Sequence, residues 1–448
     1  MTRVTRTSSP RAAASAGVRL GERLRQLRVA AGLTQSELAG TRFSKEYVSQ
    51  IERGKTRPPR ETIEWLAERL GVDADFLANG VTADQRGRVE TALARGEALI
   101  SATRDAEAIA EFENARTAVL ATGLAELEVR ALCGESWARM RQGEIREAIE
   151  LLNRARSLVE GPGFSDVDRA DVLYRLGVCR YQLTSIQTAL GLFNEALSLA
   201  NASSLPCDHL RASILSWRAR CYRRQRDFEA AREDVERALE LAEGLDDPRT
   251  TANVLFDASI IAEREGHWVL ARTYAERAKA KYEELTDRAN VGRLLNNLGA
   301  LNFLLGKPDE AVSFLKDAFR VALELENDAE AAGAVSSLAQ VHLRTGDPTL
   351  AEEQARHALK LLDGRVDYLD QVGSAQLVLG RALLDQGRFE EADDSLRQAD
   401  MSFEQLSAVS HRAAVWVAQG DLEARRGQHH GAAKLYRRAA EALQDVRF

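Results

Sequence analysis

Residues 33–59 read LTQSELAGTRFSKEYVSQIERGKTRPP, a pattern of two short helices joined by a tight turn. Thr34 has the side chain of an N-cap, Ser36 and Glu37 put polar and acidic groups into the first turn, and Gly40 interrupts before Ser44 caps a second helix. Tyr47, Val48 and Ile51 supply that helix's inward stripe. Upstream, Leu20, Leu24 and Leu27 recur at helical spacing; downstream, Ile63, Leu66, Ala67 and Leu70 do the same as far as a stop signal at Gly71. Asp73 caps a last turn through Leu77. The spacing predicts about five short helices around one small core, within residues 17–78.

These residues resemble the helix-turn-helix domain of the Cro-repressor, or XRE, class of bacterial transcription factors, whose second motif helix lies in the major groove of DNA. The resemblance covers about a seventh of the chain. It implies a phosphate contact for Gln35 and base-edge positions for Lys45, Glu46 and Gln50, with Ser44 at the helix start. Tyr47 falls between base contact and core, and Arg53, Lys55, Thr56 and Arg57 form a loop on the DNA backbone. The chemistry agrees: lysine donates to guanine O6 and N7, glutamate accepts from cytosine N4, and glutamine pairs with adenine. The resemblance also implies a buried or half-buried ion pair between Arg28 and Glu52. The turn before Ser44 is a residue shorter than the commonest pattern of that class, and Phe43 is expected to plug the core there. Gly54-Lys55-Thr56 imitates the end of a phosphate-binding loop, but Ser49 stands where that loop needs glycine, and no strand precedes it.

With 448 residues, 45% hydrophobic and 29% charged, the chain has the makeup of a globular protein of more than one domain. Only 8 prolines favour long uninterrupted helices. The net charge of -7 is unevenly divided: residues 1–80 carry 14 basic and 9 acidic groups, so the head is basic and the body acidic. That division suits DNA contact at one end. Cys133, Cys179, Cys207 and Cys221 follow neither a metal-ligand nor a disulfide spacing, and they are expected as apolar core thiols in a reducing cytoplasm. No apolar run approaches the roughly 20 residues of a membrane span, and residues 1–16 read as a disordered tail.

After a linker at 79–84, residues 85–448 repeat with a period of about 40. One series of small residues runs Gly96, Ser136, Gly177, Ala219, Ser259, Gly299, Ala339, Gly380 and Gly420. Alanine follows twelve residues after each, from Ala108 to Ala432, and again seven further on, from Ala115 to Ala439. Small residues at fixed places imply two helices crossing closely, where larger side chains would force the backbones apart. Gly143, Gly266, Gly306, Gly346, Gly387 and Gly427 mark the turns, so each unit reads as a helical hairpin. This resembles the tetratricopeptide repeat, with helices longer than the usual unit of about 34 residues. The expected fold is all-α: a five-helix helix-turn-helix domain followed by a right-handed tetratricopeptide-type solenoid of about nine hairpins.

In that resemblance the concave wall takes positions three and six before the first small residue, and one, four and five after it. Those positions give Arg130, Trp137, Arg141, Tyr174, Tyr181, Arg220, Arg223, Arg224, Asn253, Arg264, Asn296, Phe303 and Arg344. Such a wall is expected to attract a carboxylate, with Asn253 and Asn296 bonding a peptide backbone. A head of this type on such an array resembles the peptide-sensing RRNPP regulators, which implies double-stranded DNA and a peptide or protein ligand as partners, and a homodimer. The alternative is a scaffold that recruits a protein partner to DNA. No nucleophile motif, metal-ligand spacing or cofactor signature accompanies these features, so no enzymatic activity is expected.

Overall fold

Side-chain caps mark the start of three short helices near the N-terminal end of the chain. The computed structural model describes residues 10–445 except 81, 121–123, 364–367 and 407, and all its regular elements are α-helices. The head holds α1 (Pro10–Ala30), α2 (Gln35–Ala39), α3 (Lys45–Glu52), α4 (Arg60–Leu70) and α5 (Ala74–Asn79). Thr34 and Glu37 form a capping box at α2, Ser44 Oγ accepts from the Tyr47 amide at α3, and Asp73 accepts from the Phe76 amide at α5. Gly71 ends α4 at φ 67°, a left-handed conformation that an L side chain resists. Leu24, Leu38, Val48, Ile51, Leu66 and Leu77 form the fully buried centre. Residues 10–16, expected within the tail, belong to α1, while residues 1–9 lie outside the described residues. Helices also enter the expected linker from both sides, leaving 80–82 between α5 and the next helix.

The array begins with α6 (Ala83–Ser101), α7 (Asp105–Leu120), α8 (Ala125–Arg141), α9 (Ile145–Val159), α10 (Asp166–Gln182), α11 (Ile186–Ala202) and α12 (Asp208–Arg224). It continues with α13 (Phe228–Glu243), α14 (Pro248–Arg264), α15 (Trp268–Glu284), α16 (Arg288–Leu304), α17 (Pro308–Glu324) and α18 (Asp328–Arg344). The last five are α19 (Pro348–Leu361), α20 (Leu369–Asp385), α21 (Phe389–Gln405), α22 (Val409–Arg425) and α23 (His429–Asp445). The chain divides into two compact units, Met1–Cys221 and Tyr222–Phe448.

All three small-residue series are buried in every repeat. The cause lies sixteen residues downstream. A Cβ on Gly96 would meet the Phe112 ring at 2.7 Å, one on Gly177 the Phe193 ring at 2.5 Å, and one on Gly420 the Tyr436 ring at 2.5 Å. Gly299 faces Leu315 and Gly380 faces Leu396 in the same way. Where the small residue is Ser136, Ala219, Ser259 or Ala339, the residue sixteen on is Leu152, Val235, Ala275 or Ala355, smaller than the aromatic rings opposite the glycines. The crossing thus closes on a ring or a leucine opposite each glycine, and on alanine opposite Ser259 and Ala339.

The six expected turn glycines all have positive φ, from 76° to 89°. In the other hairpins Thr103, Thr184 and Arg226 take the same left-handed geometry at 58°, 58° and 62°, which composition does not announce.

Helix α10 and helix α11 supply a paired test. Gly177→Ala drives a methyl into Phe193 and is expected to cost about 1–3 kcal/mol. Gly191→Ala meets nothing within 4 Å and is expected to add about 0.5–1 kcal/mol. Thermal melts that shift both variants in the same direction would contradict this packing.

Candidate nucleic-acid interface and array grooves

The outer edge of the head is built on α3. Ser44, Lys45, Glu46 and Gln50 are exposed there, while Tyr47 is half-buried against the core. Arg53, Lys55 and Arg57 follow as exposed cations of the loop. Thr56 donates its hydroxyl to Gln50 Oε1 at 3.1 Å, tying the loop to the helix and leaving the Gln50 amide N–H groups to face outward.

Behind this edge sits a polar node. Arg28 Nε lies 2.5 Å from Glu52 Oε1, its second nitrogen donates to Oε2 at 3.2 Å, and its third donates to the Leu33 carbonyl at 2.8 Å. The Glu52 side chain is only 4% exposed and that of Arg28 12%, so the expected ion pair is buried at Glu52 and half-buried at Arg28. The hydrogen bond to Glu52 raises the Arg28 guanidinium above its ordinary pKa. Gln35, expected on phosphate, donates one amide N–H to Glu52 Oε2 at 2.7 Å. It is the third member of the node, and only the rest of its amide remains for any phosphate.

Phe43 packs against the core of the head, as expected. It is half-buried at the edge of the core, 5.4 Å from the Tyr47 ring and 5.1 Å from Trp65 in an edge-to-face contact. The Arg69 guanidinium covers Trp65 at 5.1 Å while donating to the Glu37 carbonyl. Gly21, which no sequence pattern marked, fixes the tilt of α3. A Cβ there would lie 2.3 Å from the Ile51 carbonyl oxygen and 2.6 Å from that of Glu52.

Within Met1–Cys221 a groove of about 770 Å³ is lined by Arg130, Trp137 and Tyr174 among the expected wall residues. Its arginines are neutralised: Arg130 pairs with Glu97 through two bonds of 2.6 Å, Arg86 with Glu90 and Glu126, and Arg175 with Asp171 at 2.9 Å. Five carboxylates stand against three guanidiniums, so this groove is acidic, contrary to the expected basic wall. Trp137 stacks on Tyr174 at 6.4 Å, and burial pushes the Tyr174 phenol up to about 12. Three other expected residues are turned to structural tasks. Arg141 holds the Ile100 carbonyl and Asp105, Tyr181 is buried edge-on against Trp217, and Arg220 stacks on Trp217 at 4.2 Å. The Cys133 thiol is pushed up to about 12 and that of Cys179 to about 11, both by burial, as befits inert core thiols.

Within Tyr222–Phe448 a groove of about 930 Å³ is lined by Arg264 and Arg344, with Arg381, Arg425, Asp385 and Asp421. Its charge is basic. Phe303 lies 5.9 Å beneath Arg344. The two asparagines form no paired clamp: Asn253 Oδ1 accepts from the Tyr282 hydroxyl at 2.5 Å, and Asn296 Oδ1 is buried with no hydrogen-bond partner among the described residues. Arg223 and Arg224 occupy the last turn of α12, half-buried and exposed respectively. Arg381 stands one residue after Gly380, the register place of Trp137 after Ser136, and the same rule applied one repeat further finds it.

Residues 19–79 match the family described as a helix-turn-helix domain. Residues 133–206, 210–284, 263–324, 337–402 and 377–446 match families described as tetratricopeptide repeat. The chain is therefore an XRE-type helix-turn-helix domain followed by a tetratricopeptide array. The HTH-type transcriptional regulator DdrOP3 of Deinococcus deserti is 42% identical over 65 residues, covering 14% of this chain and 50% of that protein. The chain thus spans about half the length of this curated relative. Among solved structures, a Rap protein complexed with Competence and Sporulation Factor superposes with a TM-score of 0.55 at 17% identity, covering 80% of this chain and 98% of that one. The Rap conjugation gene regulator of the plasmid pLS20, in complex with a peptide, gives a TM-score of 0.51 at 12% identity, covering 71% and 96%. At these identities the likeness is one of fold. No helix among the described residues is long and apolar enough to cross a membrane.

Glu52→Ala leaves Arg28 half-buried without its counter-charge and is expected to destabilise the head by about 3–5 kcal/mol. Gly21→Ala should cost about 1–3 kcal/mol through α3. Hydrogen exchange of the α3 amides reads both, and unchanged protection in Glu52→Ala would refute the node's role.

Proposed function

We propose that this protein is a sequence-specific transcription regulator of the cytoplasm that binds DNA through α3 and the following loop, and receives a peptide or protein signal on its array. The observation that carries the DNA half is the exposed set Lys45, Glu46 and Gln50, followed by Arg53, Lys55 and Arg57, on a helix held by the Arg28–Glu52 pair. Lysine and glutamate at the start of such a helix offer a donor to guanine and an acceptor to cytosine, and the loop cations neutralise phosphates. The similarity to DdrOP3 within the head supports the same reading.

The array half is supported by two grooves of unlike charge and by the likeness of fold to regulators solved with bound factors. The protein acts as a homodimer on two half-sites spaced by about one helical turn of DNA or a multiple of it. Ligand in the array then shifts the population between states that hold the two heads at different distances.

Selection of bound genomic fragments with the purified chain supplies the operator, and a salt titration tests the contact. Log affinity should fall linearly with log salt, with a slope of about -0.9 per neutralised phosphate. Lys45→Ala should lose about 1–3 kcal/mol of discrimination at one base pair, whereas Arg57→Ala should weaken all sequences alike. A salt slope near zero would refute DNA binding.

A further inference from the structure

Most arginines of Tyr222–Phe448 have carboxylate partners. Arg388 holds Glu352 and Glu391, Arg412 holds Asp400 and Glu404, and Arg425 holds Asp385 at 2.7 Å. Arg264, Arg344 and Arg381 differ. All three line the groove of about 930 Å³ formed by α14, α18, α20 and α22, and none has a carboxylate within ion-pair distance among the described residues.

Arg381 is half-buried, and its one described hydrogen bond is a long one of 3.3 Å to the Ala414 carbonyl. Burial lowers the pKa of its guanidinium, and the charge of Arg344 lowers it further. The charge of Asp421 offsets this only in part, and its carboxylate also accepts the Tyr436 hydroxyl at 2.7 Å. A guanidinium partly withdrawn from water with no carboxylate in direct contact costs free energy that an arriving anion returns. The guanidinium fork matches a carboxylate in a bidentate way.

We propose that this groove is a carboxylate receptor, in which Arg381 at the floor and Arg344 and Arg264 beside it bind an acidic side chain of a peptide ligand. The proposal rests on the reading of the array as a signal receptor and is independent of DNA binding by the head. It excludes the acidic groove of Met1–Cys221 as the place where such a side chain sits, because the arginines there already hold glutamates and aspartate.

Hexaglutamate is the probe, with hexaglutamine, C-amidated hexaglutamate and sodium sulfate as comparisons, each titrated calorimetrically into the full chain at constant ionic strength. Hexaglutamate in both terminal forms should bind, and hexaglutamine should not. Arg381→Gln and Arg344→Gln should each weaken binding by about tenfold or more. Arg344 serves as the second variant because its described contact is the Phe303 ring, so its loss leaves the hydrogen bonds of the fold intact. Circular dichroism melts establish that both variants fold. Equal binding of hexaglutamate and hexaglutamine, equal binding by sulfate, or unchanged affinity in both variants overturns the proposal. Loss of binding on C-amidation overturns the side-chain assignment in favour of a terminal carboxylate. A receptor failure here with a normal DNA salt slope leaves the regulator standing, whereas a flat slope with intact hexaglutamate binding removes the regulator and leaves the receptor.

Discussion

Everything in the array depends on how closely two helices of a hairpin approach. At Gly96, Gly177 and Gly420 a hydrogen replaces a side chain, and the ring of Phe112, Phe193 or Tyr436 fills the space. Phe112 is held from two sides, since a Cβ on Gly134 of the next hairpin would lie 2.3 Å from it. The crossing fixes which residues of the first helix face outward, and therefore which ones line the grooves. A wider crossing would rotate Trp137 or Arg381 away from its present place, so the small residues are the reason the wall positions recur in register.

The head solves a related problem with different chemistry. Its α3 is only eight residues long and buries three of them, Val48, Ile51 and Glu52, which is little apolar surface for a helix that must be held firmly. Glu52 supplies the rest by accepting from Arg28 of α1 and Gln35 of α2. One carboxylate thereby fixes three helices, and the low-dielectric setting strengthens each bond while making a missing partner costly. Gly21 lets α1 and α3 approach until backbone meets backbone. Lys45 and Glu46 at the start of α3 are exposed, on the side of the helix away from this node.

Electrostatics separates the two grooves. Both are lined mainly by the first helices of their hairpins, yet one holds arginines closed in pairs with Glu97 and Asp171 while the other keeps Arg264, Arg344 and Arg381 without such pairs among the described residues. Helical spacing places Arg130, Arg264, Arg344 and Arg381 on the wall, but not Arg175, which lines the first groove all the same. Pairing depends on which carboxylate a neighbouring hairpin brings within reach. Glu97 reaches Arg130 across 33 residues of chain, and Asp421 belongs to the hairpin after that of Arg381.

By itself the sequence determined the element types, the hairpin period, the caps at Thr34, Ser44 and Asp73, and the pairing of Arg28 with Glu52. These follow from local rules, from spacing that repeats, or from a family motif in which both residues stand. Only the tertiary structure decided that Gln35 joins Glu52, that Gly21 sets the tilt of α3, that Tyr181 is buried while Trp137 lines a groove, and that the wall changes sign between the two units. Those outcomes turn on distances between residues far apart in the chain. A few ångströms decide whether a charge meets its counter-charge or is left for a ligand, and periodicity carries no such distances.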